Sequence, residues 1–234
     1  MVRGRDSGAL AQFLDQMATP LLITDSENAF GDELLAGTFD WSNYTYLPEK
    51  LKEMYEKKLI NPDVLTARSS QAVDLMAQGK VGFTFVGGAI GTETSKVNPD
   101  RRVGIVPVPA IHEGDRPSWI GGERFTLSVS KNSKYKEEAK QFIEFMTQPE
   151  NAKKMAEATS LPAALTNVEA DNYFSDYFKK YSDIEVQPYF DRVYLPSGMW
   201  DVMINTAAEL LAGALTPEGV SKIMNDEYHR LRAQ

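Results

Sequence analysis

The sequence predicts an α/β fold, on three observations. Short runs rich in β-branched, aliphatic and aromatic residues recur at positions 21–24, 81–86 and 103–106, and positions 125–129 alternate apolar with polar. Between and after these runs, apolar residues return at helical spacing, so strands interleave with helices. The composition, 42% apolar and 25% charged over 234 residues, is that of a globular chain long enough for one or two domains.

The elements follow in order. Leu10, Phe13, Leu14 and Met17 share one face of a first helix, which Pro20 is expected to end. Leu21-Leu22-Ile23-Thr24 then reads as a short buried strand. Positions 25–46 mix polar turns with scattered aromatics and read as loop with some helix. Pro48 suits a first helical turn, Leu51, Met54, Tyr55 and Leu59 give its apolar stripe, and Asn61-Pro62 closes it. Ala72, Leu75 and Met76 mark another helix, with Gly79 placed for a left-handed cap. Positions 81–86 (VGFTFV) read as a strand ending at Gly87-Gly88. Positions 103–106 read as an edge strand or strand end, because Pro107 and Pro109 cannot donate to a ladder.

Helices dominate after position 129. Ala139, Phe142, Ile143 and Met146 line one face. Thr147-Gln148-Pro149-Glu150 reads as a capping box that opens the next helix. Trp200, Met203, Ile204, Ala207, Ala208 and Leu211 form a stripe that stops at Gly213. Thr216-Pro217 opens a last helix bearing Val220, Ile223, Met224 and Leu231.

Charge and motifs narrow the function. With 25 basic and 33 acidic residues the net charge is −8, which argues against a nucleic-acid binder or a polybasic membrane-surface protein. Cys is absent, which excludes disulfides, thiolate zinc sites and a cysteine nucleophile. Only His112 and His229 are available for imidazole chemistry. There is no phosphate-binding G-x-x-x-x-G-K-[ST], no G-x-S-x-G elbow and no H-E-x-x-H, so no cofactor, metal or catalytic residue is expected. Carboxylates are plentiful, but nothing singles out the pair that a glycosidase needs. No run approaches the ~20 apolar residues of a membrane helix. The opening MVRGRDSGAL lacks a signal peptide's apolar core.

Three stretches carry a family resemblance. The first is LKEMYEKKLINPDVLTARSSQAVDLMAQGKVGFTFVGG at positions 51–88. The second runs from VGIVPVPA at position 103 to the SLPA that ends at position 163. The third is the helix pair of positions 200–230 with its joint LAGALTPE. In order and spacing they resemble the bacterial extracellular solute-binding proteins, family 1, the carbohydrate-type receptors of ABC importers. The resemblance implies a type II periplasmic-binding-protein fold, two lobes that close about a hinge on a ligand, a membrane permease as partner, and an extracytoplasmic place of work. It also implies a truncated chain: mostly the C-terminal lobe in positions 1–122 and 166–234, with positions 123–165 the segment that crosses to the N-terminal lobe. Apolar surface that the rest of that lobe would cover then favours self-association.

The resemblance also implies where ligand would sit. Trp200 is either a cleft aromatic or a core residue on the Met203/Ile204 stripe. Gly87 and Gly88 are either a tight turn or backbone N–H groups offered to a ligand at a strand end. Ala89 stands where many relatives carry a cleft tryptophan, so one stacking platform is lost. Gly122, Glu123 and Arg124 fall at the hinge, where the charged pair either contacts ligand or pairs on the surface. Asn28 and Phe30 lie in a loop where relatives place cleft residues, and Trp119 and Tyr194 are weaker aromatic candidates. The expected function is a non-enzymatic sugar or oligosaccharide receptor. The alternatives are a carbohydrate-active enzyme with a carboxylate pair and a non-catalytic interaction domain.

Overall fold

The computed structural model describes residues 8–68, 71–85, 87–122 and 126–234. In chain order its elements are α1 (Ala9–Leu22), α2 (Gly31–Ala36), a 3-10 turn (Trp41–Tyr44), α3 (Tyr46–Glu56), α4 (Gln71–Ala77), α5 (Ala89–Val97), β1 (Trp119–Ile120), α6 (Lys136–Met146), α7 (Pro149–Thr159), α8 (Ser175–Lys180), β2 (Val186–Gln187), α9 (Phe190–Tyr194), α10 (Met199–Leu211) and α11 (Pro217–Arg232). They fall into two compact units. The first comprises Met1–Val86, Pro107–Gly122 and Ile184–Gln234; the second comprises Gly87–Val106 and Glu123–Asp183.

The first unit is built on α1. Its faces meet α3, α9, α10 and the 3-10 turn, while α11 packs on α10, α3 and that turn. The periodicity explains this: Leu10, Phe13 and Leu14 of α1 are buried with Leu47 and Leu51 of α3, Met203 and Ala207 of α10, and Val220 and Met224 of α11. Each such side chain stabilises the unit by about 1.5–3 kcal/mol relative to exposure. An aromatic chain extends the core, with Phe30 on Phe39 (5.4 Å), Phe39 on Trp41 (5.3 Å) and Trp41 on Tyr228 (5.2 Å between centroids). Gly79 and Gly213 adopt positive φ of 70° and 80°, as the left-handed positions after α4 and α10 require. The Thr216 side chain caps α11 by accepting the Gly219 N–H at 3.1 Å.

Among the described residues the sheet is much smaller than expected. It is one parallel pair, β1 with β2, in the register Trp119↔Val186 and Ile120↔Gln187. Positions 21–24 are not a strand, because α1 continues to Leu22 through Pro20. The lost Pro20 N–H costs one helical bond, but burial of Pro20 and Leu22 in the core outweighs it. Positions 81–85 are irregular, with Phe83 77% exposed, while Phe85 packs edge-on against Phe13 at 5.3 Å. The segment supplies a ring to the core and joins no ladder. Positions 103–106 and 126–129 are also irregular; Val106 is exposed, and the prolines that follow it lack donors. Val86 and Phe125 lie outside the described residues.

The second unit centres on α5 and the Tyr173/Phe174 pair. Gly91 of α5 lies so close that an added Cβ would be 2.5 Å from both rings. The Tyr173 hydroxyl accepts from the Val103 N–H at 3.0 Å and from the Ser95 hydroxyl at 3.2 Å. The helices α6 and α7 form where expected, but no capping box joins them. Gln148 is the N-cap of α7 without a capping bond; its side-chain amide and the Thr147 hydroxyl both turn back to the Glu144 carbonyl, at 3.0 and 3.1 Å. None of the described α6 residues is buried.

Candidate functional site

In the first unit the loop after α1 is held by Asp25. Its side chain is buried, and its Oδ1 accepts the N–H groups of Glu27 (2.7 Å) and Asn28 (3.0 Å). The same carboxylate meets His112 Nε2 at 3.0 Å, and the Ser26 N–H reaches Asp115 Oδ2 at 3.4 Å. His112 and Asp115 belong to a loop pinched at its base by reciprocal Val108–Ser118 backbone bonds of 2.9 and 3.0 Å. Two loops are thus clasped together, and the clasp presents Asn28, which is exposed, and Phe30, which is half-buried.

The Phe30 end of this loop lies beside a second aromatic. The Tyr194 ring covers Gly31, whose added Cβ would be 3.3 Å from it. Burial and the Asp32 carboxylate push the Tyr194 hydroxyl pKa above its usual value. Trp200, at the start of α10, is half-buried at the margin of the core. Its indole lies over Gly8, where an added Cβ would be 3.0 Å from Nε1; Gly8 has a positive φ of 63°, so glycine serves both space and backbone there. Trp119 sits in β1. Gly122 is exposed with a φ of 140°, a conformation only glycine adopts readily. Glu123 and Arg124 lie outside the described residues.

In the second unit Gly87, Gly88 and Ala89 open α5, where the carbonyls of Gly87 and Gly88 accept the Ile90 and Gly91 N–H groups at 3.3 Å each. Gly88 cannot carry a side chain freely, since its Cβ would lie 3.2 Å from the Ser160 carbonyl. Ser160 itself has a positive φ of 56° and a buried hydroxyl with no hydrogen-bond partner.

Sequence reasoning passed over two features. One is the Asp25–His112 clasp, whose only signal was that His112 is one of two histidines. The other is Asp15, buried on α1, whose Oδ1 accepts the Asp191 N–H at the start of α9 at 2.8 Å. Burial is the main cause that pushes its pKa up to about 7, and the Asp191 carboxylate adds to it. Asp15 and Asp191 are two neighbouring carboxyls, but Asp15 is 1% exposed, so no sugar reaches it as a glycosidase pair must be reached. A shallow groove lined by Leu65, Asn205, Ala208, Glu209 and Ala212 lies toward the far end of α10 from Trp200. No cluster of metal-ligating side chains and no helix long and apolar enough to cross a membrane is present among the described residues.

The fold places the chain in a class, the type II periplasmic-binding-protein fold with helix-rich α/β architecture. A structure of a sugar transporter from Bacillus licheniformis, in complex with stachyose, matches with a TM-score of 0.91 and 60% identity, over 98% of this chain and 60% of that one. A binding protein of Bacillus subtilis in an open conformation matches with a TM-score of 0.89 and 53% identity, over 97% of this chain and 58% of that one. In sequence, the melibiose/raffinose/stachyose-binding protein MelE of Bacillus subtilis is 53% identical over 231 residues, 99% of this chain. The chain spans about half of that relative's length, 54%. The model of the bacterial extracellular solute-binding protein family matches residues 2–153. The chain belongs to the bacterial extracellular solute-binding protein family.

Proposed function

We propose that this chain is the ligand-binding part of a sugar importer's receptor. It takes a sugar of the stachyose, raffinose or melibiose kind, carries out no covalent chemistry, and works outside the cytoplasm beside an ABC permease. The observation that carries this reading is the 60%-identical Bacillus licheniformis structure in complex with stachyose. Sugars are held by aromatic faces against their C–H surfaces and by a few fixed polar groups. On this reading Phe30 and Trp200 are the aromatic faces. Asn28 and the N–H groups at Gly87, Gly88 and Ala89 are polar contacts, and Gly122, Glu123 and Arg124 act at the hinge. Positions 123–165 are the crossing segment between lobes, and positions 1–122 and 166–234 belong mainly to one lobe.

Saturation-transfer NMR tests the reading. With the 234-residue chain in solution, stachyose and raffinose should receive saturation while cellobiose receives little, and the sugars should remain intact through a day's incubation. Absence of transfer to stachyose and raffinose would count against a receptor; release of monosaccharide would replace it with an enzyme.

A further inference from the structure

The two candidate residues on the loop after α1 are held in different ways. The chain leaves α1 at Leu22 and comes back to it at Phe30, whose N–H donates to the Leu22 carbonyl at 2.7 Å. The Phe30 ring also packs on Phe39, with centroids 5.4 Å apart. Phe30 thus has anchors of its own. Asn28 is held through Asp25, whose Oδ1 accepts its N–H at 3.0 Å. Oδ1 serves the loop itself, taking the N–H groups of Glu27 and Asn28, whereas Oδ2 faces a donor from a distant segment, His112. The Asp25 side chain is 1% exposed, so protein donors rather than water fix the direction of its carboxylate. His112 Nε2 lies 3.0 Å from Oδ2, and the ring therefore carries a proton on that nitrogen.

The turn that carries His112 sets its reach. The Asp115 N–H donates to the His112 carbonyl at 3.3 Å and closes a turn over His112-Glu113-Gly114-Asp115. Gly114, at the third position, has a φ of 97°, the sign that a type II turn needs there and that glycine supplies. Both ends of the turn reach the loop after α1: His112 meets Asp25, and Asp115 Oδ2 accepts the Ser26 N–H at 3.4 Å. Beneath the turn, the reciprocal Val108–Ser118 bonds lead directly into β1. The place of Asn28 is therefore referred, through Asp25 and His112, to the strand pair. We propose that His112 is a positioning residue for the sugar: through Asp25 it fixes where Asn28 stands, while making no contact with the ligand itself. This role rests on the reading of Asn28 as a polar sugar contact. A loop that leaves its place is competent only part of the time, and apparent affinity falls by that fraction.

Magnetic resonance on the isotope-labelled 234-residue chain reads both steps. The parent is compared with His112→Ala and with His112→Gln, since glutamine keeps an N–H donor at a similar reach. In His112→Ala the Glu27 and Asn28 amides should exchange with water at least about fivefold faster. Phe30, with its own bond to Leu22, should hardly change, and unchanged α10 amides show that the variant is folded. Titration of the same samples with stachyose should give a dissociation constant raised at least about fivefold. His112→Gln should restore both. Unchanged Asn28 exchange in His112→Ala overturns the proposal; if affinity falls all the same, His112 touches the sugar directly. Faster exchange with unaltered affinity overturns it too, as does His112→Gln behaving like His112→Ala. A parent chain that takes no stachyose overturns the sugar reading and this role with it, and is told apart from the other failures because the parent itself does not bind.

Discussion

Asp15 shows how one residue can set a pH dependence that the fold does not advertise. It is a carboxyl inside an apolar core, given one backbone N–H by Asp191 and a like charge beside it. Among the described residues Arg192 is the opposite charge that acts on it, and it does not offset burial. The other elements against α1 bring the buried Tyr44 hydroxyl, while Glu49 of α3 and Asp201 and Glu209 of α10 face solvent. The folded chain holds the Asp15 proton up to about pH 7, against 3.8 for the free side chain. The contribution of Asp15 is therefore fully present below about pH 4 and is lost as pH rises through about 7. Asn at this position keeps the acceptor and has no proton to lose. Asp15→Asn should thus become more stable than the parent chain by about 2–4 kcal/mol as pH goes from 4 to 8. Denaturant unfolding at both pH values measures this; a difference that does not change with pH would contradict the buried-carboxyl account.

At the scale of elements, the helices with a long apolar stripe were legible, while α5, α8, α9 and the strand pair were not. The stripes of α1, α3, α10 and α11 each repeat an apolar residue every three or four positions, and that pattern is local to the chain. Strands depend on a partner, which no local pattern supplies. VGFTFV reads as a strand, yet Phe85 packs against Phe13 and positions 81–85 are irregular. Pro20 reads as a stop, but the core on both sides of it is worth more than one bond. The packing around α5 was also invisible, since no local pattern marks Gly91 as the space for Tyr173 and Phe174. Gly91→Ala should therefore destabilise the chain by about 1–3 kcal/mol despite its better helix propensity. Thermal unfolding measures it; a stabilised variant would mean that these rings give way freely.

For the whole molecule, the order of three weak motifs pointed to the family, which residues 2–153 establish. The site was less legible. Asn28 and Phe30 share one clasped loop, and Trp200 sits on Gly8 at the core's edge, a placement that serves packing as well as stacking. The clasp itself needs Asp25 and His112 from distant segments, so no motif could show it. The chain spans 54% of MelE, and a receptor gains affinity by enclosing its ligand from both sides. If enclosure by two walls gives micromolar binding, about −8 kcal/mol, half the contacts leave roughly millimolar. The most direct measurement is titration calorimetry of this chain with a panel of oligosaccharides, beside Trp200→Ala. The account predicts saturable binding no tighter than roughly 100 μM, weakened further by Trp200→Ala. Low-micromolar binding that Trp200→Ala leaves untouched, or no binding to any sugar, would contradict it.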